Sequence, residues 1–151
     1  MKFPISTFIT AATLLMTTPQ QATAAPAKSY QQADAEVFFQ NGLNFFNEGN
    51  YTPAWVSFSE AAKIRPNEMS YIYIRACCCM SLRLYKAAVT DFNLALGLCK
   101  NNQEKGAVHF DLTRVYNLMQ DDKNSLDHLV IAARLGYELA INICQESGVE
   151  F

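Results

Sequence analysis

The chain has no excess of basic residues: 12 Lys and Arg stand against 14 Asp and Glu, for a net charge of -2. A nucleic-acid protein would need a positive stripe to neutralise phosphates, so that class is excluded. The sequence also has no Gly-rich phosphate loop, no His-Glu-x-x-His pair and no serine nucleophile elbow, which removes the most recognisable catalytic chemistries. Its carboxylates are spread over what read as solvated helix surfaces. No catalytic residue, cofactor or metal site is expected. What the chain does have is a 50% apolar composition over 151 residues, which suits one folded domain.

Cysteine is present but not in a useful pattern. Cys77, Cys78, Cys79, Cys99 and Cys144 are odd in number, contain no Cys-x-x-Cys and are not spaced like a disulfide framework. Successive helical residues point about 100° apart, so Cys77-Cys78-Cys79 cannot converge on one ion. Cys78 and Cys79 read as small apolar packing, and Cys77 as facing a groove, where an accessible thiol could pair with a second copy in a homodimer. A thiol-based redox or metal-binding protein is the weaker alternative function. His109 reads as a packed imidazole with one hydrogen bond and His128 as lying on an outward face, so a joint metal site is not expected.

The first residues read apart from the fold. Lys2 is a minimal positive start, Ile5 to Met16 a modestly apolar stretch, and Ala22-Thr23-Ala24 a small-x-small site cut after Ala24 or Ala25. This start resembles a bacterial secretory signal over residues 1–25. The apolar stretch is shorter than the roughly 20 residues a membrane span needs, so no span is expected after cleavage. Removal of Lys2 leaves 11 basic and 14 acidic residues, a charge of -3. The expected location is periplasmic or secreted, although an odd number of cysteines argues against export. Residues 26–34 read as a mobile lead-in.

An internal repeat organises the rest. Ala54, Phe58 and Ala61 recur 34 residues on as Ala88, Phe92 and Ala95; Ser125, Leu129 and Ala132 follow after 37. Three extra residues are expected in a polar loop around Lys100–Gln103. The first unit, 35–68, carries Phe38, Gly42, Phe45, Ala54, Phe58, Ala61 and Pro66. Gly42 and Ala61 would let two antiparallel helices approach, Phe45 and Phe58 would fill the space between, and Pro66 would help stop the second helix. Gly49-Asn50 would end the first helix, with Thr52 as the next N-cap and Pro53 at its first position. Units 69–102 and 106–139 are degenerate copies. Leu135-Gly136 reads as a stop before a cap helix over 137–147.

These residues resemble the tetratricopeptide (TPR) repeat pattern. The resemblance implies an all-α, right-handed α-α superhelix of three helix pairs plus a C-terminal cap, covering 35–151, in which stability is a sum of units and interfaces. It further implies a concave groove lined by the first helices: Phe39, Leu43 and Phe46 from unit one, Tyr73, Cys77 and Met80 from unit two, Phe110, Arg114 and Asn117 from unit three. An exposed row of this kind implies a protein or peptide partner, unless the lead-in or a second copy covers it. Phe39 and Leu43 stand where groove members that grip chaperone tails carry Lys and Asn, so an apolar or amphipathic segment is the expected ligand. The expected function is a non-catalytic scaffold or adaptor in the bacterial cell envelope, with a TPR-type secretion chaperone as the alternative.

Overall fold

The computed structural model describes residues 27–151, with side chains from Asp34 onward; the expected export segment and its cleavage site lie outside the described residues. Among the described residues seven helices follow one another: α1 Ala27–Asn47, α2 Tyr51–Ile64, α3 Met69–Ser81, α4 Tyr85–Leu98, α5 Asn102–Leu118, α6 Asp122–Arg134 and α7 Glu138–Ser147. No strand occurs among the described residues. Each helix packs on the next, and the pairs α1/α2, α3/α4 and α5/α6 share the most extensive faces. The expected all-α array of three pairs and a cap is what forms. Helix α1 already runs through the stretch expected as a lead-in.

The repeat is legible in the backbone as well as in the side chains. The turns inside the three pairs place Gly49, Arg83 and Gln120 at φ of +77°, +61° and +59°, again 34 and 37 residues apart. In each, the next residue's N–H bonds back to the first helix: Asn50 to Phe45 O at 2.8 Å, Leu84 to Cys79 O at 2.8 Å, Asp121 to Tyr116 O at 3.0 Å. This is the left-handed C-terminal turn that satisfies orphan helix carbonyls. Glycine adopts it without cost, whereas Arg83 and Gln120 hold it against a steric penalty.

Close packing explains the small-aromatic-small pattern. Ala54, Phe58, Ala61, Ala88, Phe92 and Ala95 are all fully buried. A Cβ on Gly42 would stand only 2.6 Å from a Phe58 ring carbon, so the helix backbone of α1 rests directly on that ring. Phe45, expected beside it, is instead exposed at the edge; Phe39 fills the space, its ring 5.6 Å from Phe58 and 4.7 Å from Tyr71. The reason lies in the order of elements. Phe38 and Phe45 match Ile72 and Cys79, which are buried in helix α3, where α2 packs; among the described residues nothing precedes α1.

Two boundary expectations are corrected. Helix α2 starts at Tyr51 with Asn50 as its cap residue and no side-chain cap bond, so Thr52 is not the N-cap and Pro53 is the third helical residue. Proline is still tolerated there because first-turn N–H groups have no partner inside the helix. The three extra residues before the third unit do not form a loop. They lengthen α5, which begins at Asn102 under an Asn101 cap whose side chain accepts the Glu104 N–H at 2.8 Å.

Candidate functional site

The nine residues expected to line the groove fall on α1, α3 and α5, the first helices of the three pairs. Phe39, Leu43, Phe46, Tyr73, Cys77, Met80 and Phe110 are half-buried, while Arg114 and Asn117 are exposed. The row is therefore less open than a free apolar strip, because each side chain leans on its own core. Phe39, Leu43 and Phe46 pack against the cluster around Phe58. Tyr73, Cys77 and Met80 pack against the main cluster. Phe110 packs against the C-terminal one, with its ring 5.2 Å from Tyr137.

Single contacts between first helices link the three segments of the row. The Phe39 and Tyr71 rings join α1 to α3. Between α3 and α5 the link is polar: the Tyr73 hydroxyl donates to Asp111 Oδ2, and Arg114 donates to Asp111 Oδ1 at 2.8 Å. Asp111 is buried, and its carboxylate fixes both the phenol and the guanidinium. Burial first, then the Asp111 bond, pushes the Tyr73 hydroxyl well above its ordinary range, so it remains a donor. Asp111 went unnoticed in the sequence. Its signal was an acidic residue set within the apolar stripe Val108, Leu112 and Val115, three places before an arginine.

Beyond Arg114 the row opens into a cavity of about 420 Å³ walled by Phe110, Asn117, Leu126, Leu129 and Ile143. Its walls come from α5, α6, α7 and the Val149 that follows, and they mix apolar side chains with polar ones, Arg114 and Asp122 being the charged members. Asn117 is held by the Ser125 hydroxyl, which donates to its Oδ1 at 2.7 Å. A cavity of similar size, about 440 Å³, lies between α2 and α4 around Ile72, Arg75 and Leu94; it contains none of the nine.

The cysteines offer little chemistry. All five are free, and burial raises every one of their thiols, Cys77 and Cys78 to about 12. Such thiols stay protonated at neutral pH and are poor nucleophiles. Cys77 is half-buried rather than openly accessible.

His109 is half-buried with one hydrogen-bond partner, as expected, whereas His128 departs from expectation. His128 does not face outward: its Nδ1 lies 2.8 Å from His109 Nδ1, and its ring stacks on Tyr116 at 5.3 Å with planes 8° apart. The two residues are 19 apart in sequence on antiparallel neighbours, a proximity that no local pattern announces. Among the described residues no group of three His, Cys, Asp or Glu side chains converges to hold a metal ion.

The succession of helix pairs is that of a tetratricopeptide-like repeat protein. No protein-family model matches the sequence, and no curated protein matches it. Solved structures do resemble it. The TPR domain of Arabidopsis OM64 superposes with a TM-score of 0.65 at 16% identity, covering 78% of this chain and 98% of that one. PcrH in complex with the chaperone binding region of PopB gives 0.66 at 16% identity, covering 76% and 94%. A double mutant of MamA from RS-1 gives 0.61 at 20% identity over 71% of this chain; the chain spans 58% of that protein's length. At these identities the likeness is one of fold.

Proposed function

We propose that the chain is a non-catalytic interaction scaffold that holds an apolar or amphipathic segment of another protein along its first helices, as an adaptor in the bacterial cell envelope. The observation that carries this reading is the row from Phe39 to Asn117, which reaches an exposed guanidinium beside a cavity of about 420 Å³. Half-buried aromatic side chains on rigid helices lose little entropy on docking, which favours recognition of a partner's apolar face. PcrH, of the same fold, is seen with a segment of PopB, which supports peptide holding for this chain. The start of the sequence supports export, and no described helix is long and apolar enough to cross a membrane.

A secretion chaperone is the second reading, supported by the likeness of fold to PcrH, which is seen with the chaperone binding region of PopB. The mass of the mature N-terminus separates the two: loss of residues 1–24 or 1–25 supports the envelope adaptor, and an intact start supports the chaperone. To test the groove, photo-crosslinking side chains are placed at Leu43, Arg114 and Asn117, and as controls at Lys63 and Leu94 beside the other cavity. Adducts to a common partner segment are expected at the first three positions only. Adducts confined to Lys63 and Leu94 would move the site to the α2/α4 side.

A further inference from the structure

Asp91 in the second unit and His128 in the third occupy equivalent places, 37 residues apart, and both reach back to the first helix of their own pair. In the second unit the link is ionic: Arg75 Nε and Nη2 donate to the two oxygens of Asp91 at 2.8 and 2.6 Å. In the third it is a pair of imidazoles whose Nδ1 atoms are 2.8 Å apart, with ring centroids at 5.1 Å. Two nitrogens at that distance must share a proton. Without one, two lone pairs would oppose each other.

The proton count follows from the geometry. In the neutral pair one ring carries its proton on Nδ1 and donates; the other carries its proton on Nε2 and accepts at Nδ1. One added proton can go to the free Nε2 of the donor ring, and the bridge survives as a charge-assisted bond. A second has only the accepting Nδ1 left. It would set two N–H groups head to head and two positive charges side by side in a half-buried site.

We propose that His109 and His128 form a proton-operated clasp between α5 and α6, closed while one proton bridges their Nδ1 atoms and opened when both rings become cations. The surroundings are consistent with this. Tyr116 of α5 lays its ring on His128, and Asp127 of α6 is the charged neighbour that acts on His128, favouring its cation. On His109 the titrating neighbour is His128 itself. Neither α4 nor α7, the other helices packed on this pair, contributes a charged group to either titration. Desolvation lowers both rings, and with the added push of His128 it takes His109 to about 4. A lowered histidine contributes stability that is complete above its unfolded value of about 6.5 and is lost as pH falls through the folded value. The stability that the closed clasp supplies therefore declines as pH falls from about 6.5 toward 4.

Helix α5 also carries Phe110, Arg114 and Asn117, and the Ser125 hydroxyl of α6 bonds to Asn117 and to the Thr113 carbonyl. Opening the clasp would therefore loosen the far end of the row. That consequence rests on the groove reading; the clasp itself does not.

The test is a pH titration of the imidazole nitrogens by ¹⁵N NMR on the wild-type chain, joined to thermal melts of wild type and His128→Phe, which keeps a ring on Tyr116. Opposite tautomers at pH 7.5 and coupled titration below 6.5 are expected. Between pH 7 and 4.5 the melting temperature of the wild type should fall further than that of His128→Phe, by about 5 °C or more. Two rings titrating independently near 6.5, or an equal acid loss in His128→Phe, would overturn the clasp. Should His128→Phe not fold, the wild-type tautomers and titration decide alone. No partner enters either readout, so failure of the groove reading leaves the result standing.

Discussion

Asp91 and His128 stand at the same place in successive units, yet they tie their helix pairs by different means. The Arg75–Asp91 pair is bidentate, with side chains 20% and 11% exposed, and Asp91 raises the guanidinium further above its ordinary value through their hydrogen bonds. An arginine does not deprotonate in a protein, so this link does not weaken with a modest change of pH. The His109–His128 link depends on one shared proton and is lost when both rings become cations. The first unit has neither device at this place, where Ser57 stands. It relies on the Phe58 ring against Gly42. One repeat thus uses three kinds of closure, and they should fail under different conditions.

The largest effect is expected where closure is purely steric. Phe58→Ala removes a fully buried ring from beneath α1 and should cost about 3–5 kcal/mol in denaturant unfolding. A loss below about 1 kcal/mol would mean that the first pair is held some other way. Arg75→Ala should cost about 1.5–3 kcal/mol at pH 7, because it strands a largely buried carboxylate. A cost below about 0.5 kcal/mol would mean that the ion pair does not hold the second helix pair, and would erase the contrast with the histidine clasp.

A smaller effect of opposite sign is expected in the turns. Arg83 sits at φ +61° where the first unit has Gly49, so Arg83→Gly should stabilise by about 1 kcal/mol by relieving that strain. Destabilisation would show that the Arg83 side chain contributes contacts beyond its backbone. The smallest effect belongs to an exposed ion pair. Lys63 and Glu60 meet at 2.6 Å with 70% and 39% of their side chains exposed, and Lys63→Ala should change stability by less than about 0.5 kcal/mol. Comparison with Arg75→Ala then isolates what burial adds to an ion pair.

Much of this architecture could be read from residue order. The Ala54, Phe58, Ala61 triad and its copy 34 residues later predict buried close contacts, and all six residues are fully buried. Gly49 marks its turn correctly, as does Gly136, with φ +83° after α6. Helix starts were less legible. A tight turn carries the chain into α2 before Thr52, and Asn101 with Glu104 turns an expected loop into the first turn of α5. Local competition between a cap and a loop is decided by a few hydrogen bonds, which composition does not rank.

For the candidate site, the helices bearing the nine row residues were legible from register, but their half-buried state was not. Phe39 could not be seen to pair with Tyr71, nor Asp111 with Tyr73, because these contacts join different units. His128 shows the same limit. Its place in α6 follows from the repeat, whereas its meeting with His109 depends on how far α5 and α6 are rotated toward each other.

The sequence by itself determined the period, the helix pairs and the positions that must be small or aromatic, since these follow from the steric demands of two helices in contact. Tertiary structure alone decided which polar groups face each other across helices. That choice depends on rotations and offsets set by the whole stack, and at His109 and His128 it converts two scattered residues into a titratable link.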